Sequence, residues 1–171
     1  MKAKSAGKAV VVSVVMGSDS ALPVMAEATK ILEEFGIGYE LMLTSAHRTP
    51  KRTTQFAKTA AARGVKIIIV GAGAAAHLAG VIASQTLLPV IGVPINATSM
   101  NGLDALLSTV QMPGGIPVAT MAIGLAGAKN AALLAIRFLA LEDKALSARL
   151  AAYVKQMARD VEKKHRSLKS L

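Results

Sequence analysis

Two spacings of apolar residues take turns along this chain. Residues 8–16 form a Val-rich run of the kind that becomes a strand buried on both faces of a parallel sheet, and it ends in Gly17-Ser18-Asp19-Ser20. Leu22, Met25, Ala28, Leu32 and Phe35 then recur at helical spacing until Gly36 stops them. Residues 39–43 are a second strand. Thr49 and Pro50 open a second helix as N-cap and first helical residue, predicting a helix over 51–63 that ends at Gly64. A third strand over 66–70 leads into a loop over 71–77, and a fourth strand covers 89–93. Beyond it come a polar, flexible stretch over 94–103, a short helix over 104–110, a Pro/Gly loop over 111–117 and a fifth strand over 118–123.

The βαβ alternation predicts a three-layer α/β/α sandwich around a parallel, flavodoxin-like sheet. Residues 127–141 make an Ala/Leu helix that is apolar nearly all round, so it needs cover on more than one side, and a second subunit is the expected source. From Asp143 a long amphipathic helix carries Leu146, Leu150, Tyr153, Met157 and Val161 on one stripe with Lys and Arg opposite. The expected organisation is one α/β domain over 1–142 and an appended helix over 143–171, packed on its own or a neighbouring subunit.

Composition narrows the chemistry. With no cysteine there is neither a disulfide framework nor a thiolate metal site, and a cytoplasmic setting is expected. The N-terminal basic residues lack the pattern of a signal peptide, and the apolar region over 67–93 is cut by glycine and proline into pieces too short to span a bilayer, so no membrane partner is expected. Half of the formal net charge of +10 lies in residues 143–171, which hold eight Lys/Arg against three Asp/Glu. That segment lacks interleaved aromatics and any base-reading motif, so it reads as a solvated basic helix and no nucleic-acid partner is expected. Residues 41–141 contain a single carboxylate, Asp104, against eight Lys/Arg. A multi-carboxylate metal site or a glycosidase-type acid pair is therefore excluded there, and an anionic small molecule is the natural ligand.

Three turns hold the candidate chemistry. The Gly17, Ser18, Ser20 turn offers close backbone approach and hydroxyls ahead of a helix, which suits a phosphate, although Ser20 has a second reading as a plain N-cap. The Ser45-Ala46-His47-Arg48 turn supplies a hydroxyl, an imidazole and a permanent cation. Histidine is the side chain whose ordinary pKa allows proton exchange near neutral pH, so His47 is the candidate general acid/base. The third turn, 71–77, is bare backbone with Gly73, Ala74 and Ala75, a cradle for a small flat or linear ligand, followed by His77. His77 also reads as a backbone-bonded cap of the next helix. If the first three strands are parallel neighbours, the three turns share one edge of the sheet, and proton transfer on a phosphorylated small molecule follows.

Met16-Gly17-Ser18-Asp19-Ser20, Ser45-Ala46-His47-Arg48-Thr49-Pro50 and Gly71-Ala72-Gly73 with Ala75-Ala76-His77-Leu78 resemble successive signatures of the PurE family. So do Pro89-Val90-Ile91-Gly92-Val93-Pro94, Gln111-Met112-Pro113 with Gly115-Ile116-Pro117-Val118-Ala119-Thr120, and Ala126-Gly127-Ala128 with Asn130-Ala131-Ala132-Leu133-Leu134-Ala135. Six motifs in order make the resemblance specific, and it covers nearly the whole chain. It implies an N5-carboxyaminoimidazole ribonucleotide mutase of de novo purine synthesis, an isomerase that needs no cofactor and works as a homo-octamer with sites between subunits. It implies that His47 protonates the departing nitrogen and later removes the ring proton, that carbon dioxide is held by residues 73–76, and that Ser18, Ser45 and Arg48 engage phosphate and ribose. Arg48 directly after the histidine resembles the mutase branch; the branch that uses free carbon dioxide usually has lysine there.

Four positions depart from the family pattern. Ala21 stands where an aspartate usually holds the ribose, Ala74 and Ala79 where a glycine and a proline are usual, and Ala105 where a serine follows Asp104. These substitutions leave open a second reading, an engineered or drifted PurE-fold assembly protein with weak or no activity.

Overall fold

A computed structural model describes residues 9–168; Lys8, the N-terminal basic residues and the last three positions lie outside the described residues. Those residues group into two compact units, one up to Ala135 and one from Ile136.

The first unit is built on five parallel strands, β1 (Val12–Met16), β2 (Tyr39–Leu43), β3 (Ile67–Gly73), β4 (Val90–Ile95) and β5 (Ala119–Thr120), in the order β2-β1-β3-β4-β5. This is the flavodoxin-like doubly wound order. Helix α1 (Leu22–Glu34) covers one face: Gly71 leaves room for the Met25 sulfur, into which any Cβ at that position would run. Helices α2 (Pro50–Ala60), α3 (Leu78–Ala83) and α4 (Leu103–Val110) cover the other, where Phe56, Ala57, Leu78, Ile82 and Ala105 pack with Val15, Ile68 and Val70. Three layers result, and alternate residues of β3 serve opposite faces.

Several boundaries differ from expectation. β3 runs on to Gly73, because Gly71, Ala72 and Gly73 stay paired with Val93, Pro94 and Ile95. The glycines that read as a loop report close packing instead: a Cβ on Gly73 would meet Ala97 and the Ile95 carbonyl. β4 likewise continues through Pro94, which is tolerated because β5 pairs only with Ile91 and Gly92, leaving the far side of Pro94 without a ladder to join. β5 is accordingly reduced to two residues. Helix α2 ends as expected, in a 3-10 turn over Ala61–Arg63 closed by Gly64 at φ 89°, a conformation glycine adopts without penalty.

The amino ends of β1 and β2 hold a closed polar cluster. Glu40 Oε1 accepts from Ser13 Oγ at 2.6 Å and from Arg63 Nη2 at 2.8 Å, and the Arg63 guanidinium lies over the Phe56 ring. Beside it, burial pushes the Tyr39 hydroxyl up to about 12, helped by its hydrogen bond to the Glu33 carboxylate.

Helix α5 (Leu125–Ala140) buries Ala128, Ala131, Ala132 and Ala135. The second unit holds the end of α5, with Ile136 buried, and helix α6 (Lys144–Leu168), with Leu146 buried. Asp143 caps α6, its Oδ1 accepting from the Leu146 N–H at 2.9 Å. Among the described residues no helix is long and apolar enough to cross a membrane.

Candidate active site

The strand order places the turns after β1, β2 and β3 side by side at the carboxyl edge of the sheet. They enclose a cavity of about 440 Å³, lined among others by Gly17, Ser18, Ser20, Ser45, His47, Arg48, Gly73, Ala74 and Ala75. It lies where β1 and β3 part company in the winding, the crevice at which doubly wound folds hold ligands. Nine of the ten sequence-predicted site residues thus converge on one space. The tenth, His77, does not line the cavity but touches a residue that does: its Nδ1 lies 2.9 Å from His47 Nε2, with the rings edge to face. The alternative reading of His77 as a backbone-bonded cap is corrected. It occupies the N-cap position of α3 without a side-chain cap bond, its imidazole turned to His47 instead.

The β2 turn is braced from below. Thr44 Oγ1 lies 2.8 Å from Thr53 Oγ1 and 3.2 Å from Thr49 Oγ1. Thr49 sits at the N-cap of α2 with Pro50 behind it, as the sequence predicts, but makes no cap bond. Its hydroxyl accepts from the Ser45 N–H at 2.9 Å and donates to the Ser45 carbonyl, closing the turn on itself. Arg48 is tied down twice: its N–H donates to Ser45 Oγ at 3.1 Å, and its Nη2 donates to the Gly17 carbonyl at 3.2 Å. The second bond links the first and second turns, leaving the guanidinium's other donors for a ligand.

Ser18, not Ser20, caps the short turn after β1, its oxygen accepting from the Ser20 N–H. Ala21 is buried in the cavity wall and brings no polar atom. At the third turn, Ala74 has φ 54°, a left-handed conformation that an alanine adopts at a cost of about 1–2 kcal/mol. The Ala76 and His77 N–H groups bond back to the carbonyls of Ala74 and Ala75 at 2.8 Å. These closures engage the Ala76 and His77 amides within the turn itself.

Leu78, Ile95 and Ala97 also line the space. Sequence reasoning missed them, although the flavodoxin-like order, which sets β4 beside β3, carried the signal that the end of β4 would complete the wall. Among the described residues no three metal-ligating side chains gather.

An AIR carboxylase family model matches residues 11–160. The chain is 58% identical over 160 residues to a protein of Pyrococcus horikoshii named N5-carboxyaminoimidazole ribonucleotide mutase, covering 94% of this chain and 89% of that one. It is 52% identical to the protein of the same name from Thermotoga maritima, covering 94% and 92%. The crystal structure of Treponema denticola PurE superposes with a TM-score of 0.84 at 30% identity, over 92% of this chain and 98% of that one.

Proposed function

This chain belongs to the AIR carboxylase family, and we propose on that premise that it is an N5-carboxyaminoimidazole ribonucleotide mutase, an isomerase of purine biosynthesis. The observation that carries the reading is the convergence of one imidazole, an arginine and serine hydroxyls, and a bare backbone turn on a single cavity.

The substrate's phosphate and ribose lie against Ser18, Ser20, Ser45 and Arg48, which fixes the imidazole ring near His47. Protonated His47 gives its proton to the exocyclic nitrogen as the nitrogen–carboxylate bond breaks, releasing carbon dioxide. The gas stays in the cradle of Gly73, Ala74 and Ala75. Carbon 4 of the ring attacks it, and the now neutral His47 takes the proton from carbon 4, restoring its starting state. One proton and one carboxylate move within the cavity, so no cofactor enters. His77, hydrogen-bonded to Nε2 of His47, restricts the orientation of that ring.

The assembly is read as a homo-oligomer, an octamer by family resemblance. Support comes from apolar side chains left exposed on α4, where Leu103, Leu107 and Val110 share one helical face. The cysteine-free chain fits the cytoplasm, where we place it. The alternative of an inactive assembly protein gains nothing from relatives that carry the mutase name.

Incubation with the N5-carboxylated nucleotide, followed by absorbance of the carbon-4 carboxylated product, tests the activity. Turnover by the wild type that is lost in His47→Asn is expected; a wild type without turnover overturns the reading. Light scattering tests the assembly, and the mass of a single chain would overturn it.

A further inference from the structure

Asp19 stands outside the cavity wall but governs two hydroxyls that form part of it. Its Oδ1 accepts from Ser18 Oγ at 3.1 Å and from the Ser20 N–H at 3.0 Å. An ionised carboxylate only accepts, so the proton in the first contact belongs to Ser18. A serine oxygen has one proton. With that of Ser18 committed, the 3.0 Å contact between the two serine oxygens requires Ser20 to donate. Both hydroxyl protons are therefore engaged in a chain that runs from Ser20 through Ser18 to Asp19, and neither is offered to the cavity. Ser45 is set the other way: it accepts from the Arg48 N–H and keeps its own proton available.

A phosphoryl oxygen is itself an acceptor, so the arrangement at Ser18 and Ser20 opposes it. We propose that Asp19 is a positioning residue that limits the affinity of this site for phosphate, by competing with the ligand for the protons of Ser18 and Ser20. The inference rests on the reading of the cavity as a site for a phosphorylated ribonucleotide. For phosphate to use the two serines, their hydroxyls must rotate away from Asp19, whose charge then lies beside phosphoryl charge. Substrate and product are loosened alike, and the imidazole of His47 is untouched. The effect falls on binding rather than on the chemical step.

Asp19→Ala and Asp19→Asn, compared with the wild type, test this. Calorimetric titration with inorganic phosphate and with aminoimidazole ribonucleotide is expected to give about fivefold tighter binding in Asp19→Ala, the size of a modest exposed charge contact, and a smaller gain in Asp19→Asn, which loses the charge but keeps an acceptor oxygen. With the N5-carboxylated nucleotide the change appears as a lower KM rather than a different kcat. A damaged fold loosens ligands, so a gain separates the proposal from a structural role. In a Ser20→Ala background the gain from Asp19→Ala shrinks, because one of the competed protons is gone. Equal or weaker phosphate binding in both single variants, or an undiminished gain in the Ser20→Ala background, overturns the proposal. A wild type that binds inorganic phosphate but neither binds nor turns over the ribonucleotides fails the mutase reading, and the phosphate titrations still decide Asp19.

Discussion

The two ends of the β1/β2 strand pair carry similar polar residues arranged to opposite purpose. At the amino end, Ser13, Glu40 and Arg63 satisfy one another, and Glu40 is almost wholly buried. At the carboxyl end, the hydroxyls of Ser18, Ser20 and Ser45, the guanidinium of Arg48 and the imidazole of His47 line open space. A serine, a carboxylate and an arginine make a clasp when every donor meets an acceptor, and a binding site when donors are left over, as at Ser45 and Arg48. Ser13 and Glu40, buried and satisfied at one end, serve stability, whereas the more open set at the other faces a cavity.

The contrast is broken most severely at His47. His47→Asn is expected to lower turnover by about 10²–10⁴-fold, the range for removing a general acid/base, with the thermal unfolding midpoint unchanged. At the other end Glu40→Ala does the reverse. It strands the buried Ser13 hydroxyl and releases Arg63, costing about 2–3 kcal/mol in chemical denaturation, while turnover per folded molecule stays constant. Ala21→Asp sharpens the open end: a carboxylate in the cavity wall supplies an acceptor for sugar hydroxyls, worth about 1.5–3 kcal/mol, or ten- to a hundredfold in affinity by calorimetry. No gain would mean that the alanine is not what limits binding. Ala74→Gly has the smallest effect. Relief of about 1 kcal/mol of left-handed strain is largely offset by the freedom glycine adds to the unfolded chain, so stability moves by less than about 1 kcal/mol. The visible change is a lower KM as the cradle loses a methyl group.

The sheet was legible because β1 and β3 are buried on both faces and write themselves as short runs dominated by Val and Ile. Tyr39–Leu43 was readable to the residue. Glycine misled at Gly71 and Gly73: a residue chosen to admit Met25 and Ala97 looks, in sequence, like one chosen for a turn. The cavity lining was readable where a chemically distinctive side chain stands in a turn, as at His47 and Arg48. Ile95 and Ala97 were not, since apolar residues at a strand end look alike until strand order is known. The partnership of His47 with His77 spans thirty positions and two turns, a distance that no local pattern encodes.

The threonine contacts under the β2 turn bear on timing. Thr44, Thr49 and Thr53 fasten the segment carrying His47 before any ligand arrives, and the amides of Ser45 and Thr49 are both engaged within it. Deuterium should therefore enter those two amides slowly in the unliganded protein, at rates matching the adjoining helix rather than a surface loop. On the proposed mechanism, no part of the cycle is then spent assembling the acid.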